Sequence, residues 1–335
     1  MEEAAMKILV FDVPAERGGA LTVLHQFYQK AIEDTVNEWV FVVSTPQLEE
    51  KGHVKVINRP WVKKSWLHRL WFDYLFASRL SKQLKPDEVL SLQNILIPRI
   101  KVKQVVYMHQ SLPFAEKKYK LRENHLLWVY QNLIGRLIFR SIKRADKVIV
   151  QTEWMRNQCA AMLKVQKEKI EVQAPTYSMK IEKKFEQERL LKEVLFFYPA
   201  DGMDYKNHKV IFEAMKQLKK ENIDQYRVVL TLSGDENKHV KALYQEARLH
   251  HLPVDFTGKL TQEQVFDYYT RSVLLFPSFI ETYGLPMLEA KLHESPVIAS
   301  DCLFSHEVLD GYAHAAFFNP ERCDELKVLM EKYLK

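Results

Sequence analysis

The chain has 335 residues, 47% of them hydrophobic and 27% charged, which excludes disorder and leaves room for two domains with full cores. Three cysteines without metal-ligand spacing (Cys159, Cys302 and Cys323) exclude a disulfide framework, and no apolar run approaches the roughly 20 residues of a helical membrane span. The net charge of +6 is uneven, with 29 Lys and Arg against 18 Asp and Glu in residues 1–180 and 20 against 25 in the remainder; the basic first half suits an anionic substrate, an anionic lipid or a nucleic acid, but no nucleic-acid motif accompanies it.

Residues 1–7 lack the charge and apolar pattern of a secretory signal, which points to the cytoplasm. Residues 7–12 (KILVFD) read as a short buried strand, followed by Gly18-Gly19 and a helix-period stretch over 21–32. Strand-like runs follow at 39–44, 54–57, 88–92, 104–108 and 147–151, with helical patterns at 65–84, 123–143 and 153–163. Such alternation predicts a doubly wound parallel sheet over residues 1–175. Pro175 and a charge-rich run then break the pattern, so 176–192 reads as a linker. From 193 to 335 the alternation restarts, with strands at 194–198, 227–232, 254–256, 273–276 and 296–299 and helices at 207–219, 236–249, 262–270 and 285–293. A second Rossmann-like domain follows. Only nine glycines occur, well under the roughly 7% average, so each marks a backbone requirement.

The most informative segment is 278–290 (SFIETYGLPMLEA), where seven residues separate Glu281 from Glu289 across a loop-to-helix junction. Gly284 supplies the joint, and Pro286 falls in a first turn that tolerates a missing N–H. Glu281 therefore lies in a loop and Glu289 on a helix. The helix-start amides near 285–288 attract phosphate, whereas carboxylates alone repel a diphosphate. The conflict disappears for a ligand whose hydroxyls meet the two Glu and whose phosphates meet the helix end. An amphipathic helix with a Glu at each end would explain the two carboxylates alone, but not the Tyr-Gly-Leu-Pro between them.

The segment resembles the donor motif of retaining glycosyltransferases of family 4, with Tyr283 in place of the usual Phe. The resemblance spans nearly the whole chain. It implies the α/β GT-B fold, two Rossmann-like doubly wound parallel-sheet domains facing a cleft, with the donor held mainly by the second domain and the acceptor mainly by the first. It also leaves residues 321–334 two readings, the last helix of the second domain or one that crosses back to the first.

Carried onto matching positions, the resemblance implies catalytic roles for Glu281, His109 and Lys206. It implies donor binding by Gly18, Gly19, Lys206, Gly258, Glu281, Thr282, Tyr283, Gly284, Leu285 and Glu289. Lys206 follows the first strand of the second domain and neutralises a diphosphate, with Asn207 expected to cap the helix it opens. Gly18-Gly19 lacks the fingerprint of a nicotinamide site and matches the family's close-approach turn instead. His109 ends a strand and faces a ligand crevice. The loops Ser233-Gly234-Asp235-Glu236 and Thr257-Gly258-Lys259 resemble those around the nucleotide base. The Arg that usually precedes Lys206 is missing, and Asp201 and Asp204 stand in that loop.

The implied activity is a metal-independent, retaining transfer from a nucleotide-diphosphate sugar to a saccharide or lipid-linked acceptor, in bacterial surface polysaccharide or glycolipid assembly. No metal and no cofactor beyond the donor substrate are expected, because His250-His251 and His293-Glu294 lack partners at ligand spacing. Residues 61–72, with three Trp among basic residues, and the basic run 117–122 suit an anionic membrane surface, which would place the protein on the inner face of the cell membrane. A nucleotide-sugar epimerase or a glycogen-type synthase would keep the fold, and the missing Arg leaves room for a non-catalytic partner subunit binding nucleotide or lipid.

Overall fold

The computed structural model describes residues 5–16, 18–175, 181–192 and 194–334. Residues 1–4, read above for a secretory pattern, and 176–180, the first part of the expected linker, lie outside the described residues. The chain forms two compact units, Met1–Tyr177 and Ser178–Lys335.

The first unit is a seven-stranded, wholly parallel sheet. Its strands are β1 (Lys7–Asp12), β2 (Glu38–Val43), β3 (Val54–Asn58), β4 (Glu88–Ser91), β5 (Lys103–Tyr107), β6 (Lys147–Val150) and β7 (Ile170–Val172), in the order β3-β2-β1-β4-β5-β6-β7. Leu9, Val10 and Phe11 are all fully buried, so β1 is covered on both faces, as the continuous apolar run requires. Helix α1 (Gly18–Glu33) packs Leu24 and Phe27 on the face that carries Val10 and Tyr107. On the other face Leu9 and Phe11 meet Val62, Phe72 and Leu80. The handedness of parallel crossovers explains this division, because β1 to β2 steps one way along the sheet while β3 to β4 and β5 to β6 step the other.

The helical patterns at 65–84 and 123–143 are each interrupted by a wide π turn. The first comprises α2 (Trp66–Trp71), the turn Phe72–Phe76 and α3 (Ala77–Leu84), and the second α4 (His125–Val129), the turn Tyr130–Ile134 and α5 (Gly135–Arg144). The first turn coincides with two adjacent buried side chains, Phe72 and Asp73. Helix α6 (Glu153–Leu163) leads to β7, a three-residue edge strand too short to stand out in the sequence.

In the second unit, residues 185–189 are fastened to that unit's own core elements. The amides of Phe185 and Glu186 donate to the carbonyls of His293 and Thr270 at 2.7 and 2.8 Å, and Arg189 reaches Thr270 and Asp267 from helix α7 (Gln187–Lys192). Six parallel strands follow, β8 (Val194–Tyr198), β9 (Tyr226–Leu230), β10 (Val254–Phe256), β11 (Val273–Phe276), β12 (Val297–Ser300) and β13 (Ala315–Phe318), in the order β10-β9-β8-β11-β12-β13. Helices α8 (His208–Lys220), α9 (Lys238–Leu249), α10 (Gln262–Tyr269), α11 (Leu285–Leu292) and α12 (Leu303–Val308) connect them. The last helix, α13 (Cys323–Glu331), packs on α8, with Lys327 2.7 Å from Glu221, and so belongs to the second unit.

Both sheets reverse their strand order once, between β1 and β4 and between β8 and β11. In open parallel sheets the crevice outside the carboxyl ends at that reversal is where ligands bind.

Candidate active site

The reversal in the second unit brings together the loops after β8 and β11, which carry Lys206 and Glu281. After β8 the chain makes a 3-10 turn, Asp204–Lys206, and enters α8 through Asn207 in the left-handed region at φ 56°. Asn207 does not cap α8 with its side chain, contrary to expectation, because an Ncap side chain bonds its helix from extended backbone. Its amide instead donates to the carbonyls of Pro277 (3.1 Å) and Pro320 (2.8 Å), tying the loop after β8 to the one after β11. The Phe279 amide donates to the Tyr205 carbonyl at 2.9 Å, a second tie between the same loops.

Lys206 Nζ lies 2.6 Å from Glu281 Oε1, with 16% and 14% of the two side chains exposed. Burial alone would favour the neutral amine, but the Glu281 carboxylate, with Tyr205, Tyr198 and Asp201, outweighs it and holds the ammonium well above the usual lysine range. Beneath the pair, the buried Tyr198 hydroxyl donates to the Lys206 carbonyl at 2.9 Å and lies 2.8 Å from the Ser278 hydroxyl. Ser300 Oγ donates to the Ser278 carbonyl at 2.8 Å. The ends of β8, β11 and β12 are thus joined by buried hydroxyls that set the backbone under both charged residues. The sequence reading missed Tyr198, Ser278 and Ser300, whose only signal was a polar group closing each apolar strand.

The two aspartates of the loop have local partners. Asp201 accepts from the Met203 amide at 3.2 Å, and Asp204 lies 3.6 Å from His239 Nδ1.

Gly284 stands at φ 94°, where the backbone favours glycine, and a Cβ there would come within 2.6 Å of Met287 Cε and push that side chain aside. Pro286 occupies the first turn of α11. Thr282, Tyr283 and Leu285 flank this joint and are partly exposed. Burial, and next to it the Glu307 charge, raise the Tyr283 hydroxyl above its ordinary range. Glu289 projects from α11 and accepts from the Tyr269 hydroxyl at 2.9 Å. Gly258 follows β10, at the sheet's edge, with φ 69° and its amide donating to Leu232. The amides of Ser233, Gly234 and Asp235, expected to face a nucleotide base, all donate to the Glu236 carboxylate. Burial raises the affinity of Glu236 for a proton, but those three amides and its own outweigh it and the acid sits below its ordinary value.

The remaining predicted residues belong to the first unit. Gly18 opens α1 at φ 60°, and neither it nor Gly19 has any atom within 4 Å of where a Cβ would stand. Gly19 is the one glycine of the nine with neither a positive φ nor a close neighbour. His109 follows β5, its amide donating to Asn94 Oδ1 at 2.7 Å; burial lowers the imidazole to about 4, and its Nδ1 has no hydrogen-bond partner among the described residues. Asp12, at the end of β1, is wholly buried, and neither carboxylate oxygen makes a well-formed hydrogen bond. Burial raises it to about 8 against the opposing pull of the Ala15 amide, Arg69 and Lys63. No sequence motif marked Asp12, because its isolation follows from where β1 ends. Among the described residues no group of three His, Cys, Asp or Glu could hold a metal ion, and no helix is long and apolar enough to cross a membrane.

The family model for Glycosyltransferase Family 4 matches residues 17–176, and that for Glycosyl transferases group 1 matches residues 179–335. The chain belongs to the group 1, family 4 glycosyltransferases. This glycosyltransferase superposes on sucrose-phosphate synthase from Thermosynechococcus elongatus with a TM-score of 0.72 at 14% identity, over 98% of this chain and 90% of that one. It matches Anabaena HepE, solved in complex with UDP-glucose, with a TM-score of 0.71 at 15% identity, again over 98% and 90%. WaaG, a glycosyltransferase involved in lipopolysaccharide biosynthesis, gives 0.72 at 14% identity over the same shares. At such identities the likeness establishes the fold, and the fold is GT-B. No curated protein matches this glycosyltransferase by sequence.

Proposed function

We propose that the protein is a retaining, metal-independent glycosyltransferase that moves a sugar from a nucleotide-diphosphate sugar to a saccharide or lipid-linked saccharide in bacterial surface polysaccharide or glycolipid assembly. The carrying observation is the buried Lys206–Glu281 pair at the strand reversal of the second unit, 2.6 Å apart and set beside the start of α11. A cation and a helix N-terminus suit a leaving diphosphate, and a carboxylate suits the hydroxyls of the sugar it carries. Glu281 and Lys206 take these two parts, Glu289 the ribose, and His109 the sugar from the first unit. As the family resemblance implies, the acceptor attacks the anomeric carbon from the face the diphosphate leaves. The electron pair of the broken C–O bond and the acceptor's proton both go to the phosphate oxygen. The solved complex of HepE with UDP-glucose supports a donor of this class.

A thermal-shift panel of UDP-, GDP-, dTDP- and ADP-sugars tests the reading, since a ligand that binds only the folded protein raises its melting temperature. Stabilisation by one sugar nucleotide, followed by transfer to a saccharide acceptor, is expected. With that donor, Glu289→Ala raises KM or abolishes turnover, and wild-type kinetics for the variant would remove Glu289 from the site.

The same proposal places the protein at an anionic membrane surface, inside the cell. Trp66, Leu67 and Trp71 are 69%, 77% and 51% exposed, and Leu70, Tyr74 and Leu75 extend the apolar stripe beside exposed Lys64 and Arg79. Trp61, by contrast, packs against Trp71, Phe72 and Phe76 and anchors the stripe. In the 117–122 run Lys117, Lys118, Lys120 and Arg122 are exposed. Apolar side chains framed by cations suit the lipid headgroup boundary. The double variant Trp66→Ser/Leu67→Ser should lose co-sedimentation with phosphatidylglycerol vesicles, and undiminished binding would refute this contact.

A further inference from the structure

Lys206 is the only Lys or Arg between Pro199 and Asn207, and its charge is already matched by Glu281. A diphosphate arriving at Lys206 must share one ammonium with that carboxylate or displace it. Sharing sets two anions against each other where little water screens them, and displacement leaves a buried carboxylate in need of a new partner. The hydroxyls of a sugar attached to the diphosphate supply that partner. A free nucleoside diphosphate has no hydroxyl to offer there. Its terminal phosphate carries one more negative charge than in the donor, and it meets a cation and an anion whose fields oppose each other.

The loop permits such an exchange by side-chain rotation. Phe279 is held to Tyr205, Ile280 is buried and Gly284 fixes the far end, while the Glu281 side chain between them has three rotatable bonds.

We propose that Glu281 competes with the diphosphate for Lys206: it yields to the intact donor, whose sugar hydroxyls receive it, and returns to Lys206 after transfer, so hastening departure of the nucleoside diphosphate. This rests on the donor site proposed above and assigns Glu281 a part in product release as well as in sugar binding.

Calorimetric titration of UDP, GDP, dTDP and ADP, and of the corresponding sugar nucleotides, into wild type, Glu281→Gln and the double variant Lys206→Met/Glu281→Gln tests it. For the nucleotide that binds, Glu281→Gln should hold the free diphosphate at least about 5-fold tighter than wild type, and the sugar nucleotide more weakly. The gain should vanish in the double variant, because it acts through Lys206. Unchanged or weaker binding of the diphosphate by Glu281→Gln overturns the proposal, as does a gain that survives loss of Lys206. Should wild type bind none of these nucleotides, the donor site itself falls and the competition with it. Glu281→Ser, which leaves room instead of an amide, is the second variant should Glu281→Gln fail to fold.

Discussion

The two units share one strand order over six strands, to which the first adds β7, and leave their strand-end crevices in different states. In the second, the charged groups close on one another: Lys206 bonds Glu281, Tyr198 and Ser278 support the loops beneath, and Asn207 holds two carbonyls. Among the described residues the second unit keeps unmatched ring nitrogens of its own, both of His208, which burial holds neutral, and Nε2 of His239. In the first, Asp12, Asn58, Gln93 and His109, at or just past the ends of β1, β3, β4 and β5, each keep a buried polar atom without a well-formed hydrogen bond among the described residues, although the Ala15 amide still acts on Asp12. An unmet buried polar group costs about 1–3 kcal/mol. The charged pair of the second crevice is therefore held by its own chain, while the strand ends of the first keep buried polar atoms whose bonding capacity is unused among the described residues.

The strongest way to break the contrast is to open the closed crevice. Lys206→Met removes the cation and leaves Glu281 buried without it. Removing a preorganised electrostatic stabiliser typically lowers turnover about 100- to 1,000-fold, and a carboxylate left unpaired in the interior costs the fold about 3–5 kcal/mol. Steady-state transfer and urea denaturation of the same preparation should show both losses. A drop in activity without loss of stability would mean that the ion pair does not hold the loops.

Through Asp12 the first crevice should lose stability as pH rises, whereas His208 of the second, which burial lowers to about 3, acts in the opposite sense. Asp12 has an ordinary value of 3.8 and is raised to about 8 by burial. Below 3.8 both folded and unfolded chains are protonated there. As pH rises past that point the unfolded chain ionises first, so the fold loses up to about 1.4 kcal/mol per unit until about pH 8. His109 works in the opposite sense: its folded value of about 4 stabilises the neutral fold above the ordinary 6.5 and loses that contribution as pH falls through 4. Asp12→Asn should remove the Asp12 slope and become the more stable protein at pH 8, read as the urea midpoint at pH 5 and 8. Parallel pH profiles for variant and wild type would show that Asp12 is ionised and satisfied in the fold.

Sequence made the closed crevice far more legible than the open one. Glu281, Gly284 and Glu289 lie within nine residues whose order states the loop-helix geometry, and Lys206 follows an unmistakable strand. Alternating apolar runs likewise carried the two parallel sheets, apart from the three- and four-residue edge strands β7 and β13. What joins residues distant in the chain was invisible: the Tyr198–Ser278 contact spans 80 positions and depends on the register between β8 and β11. Asp12 was hidden for a related reason, because a strand-end Asp is ordinary until the depth of its burial is known. The role assigned to Asn207 failed because a left-handed residue was read as an extended cap.

Two glycines sharpen the comparison at its smallest scale. Gly284→Ala forces a side chain onto φ 94° and against Met287, at 2.6 Å, so the second unit should lose about 1–3 kcal/mol and melt earlier. Gly19→Ala meets no atom within 4 Å beyond its chain neighbours and own helix backbone and replaces a glycine in the first turn of α1, which favours folding by at most about 0.5 kcal/mol. If glycine at 19 serves only the fold, that variant melts slightly higher and transfers sugar at the wild-type rate. If the bare backbone is there to admit substrate, it melts slightly higher and keeps its turnover, with the donor or acceptor KM raised. Stability gained with turnover kept and only the donor or acceptor KM raised would point to a backbone left bare for substrate rather than to rigidity alone, and its appearance at Gly19 but not at Gly284 would mark the first crevice as the one completed by what it binds.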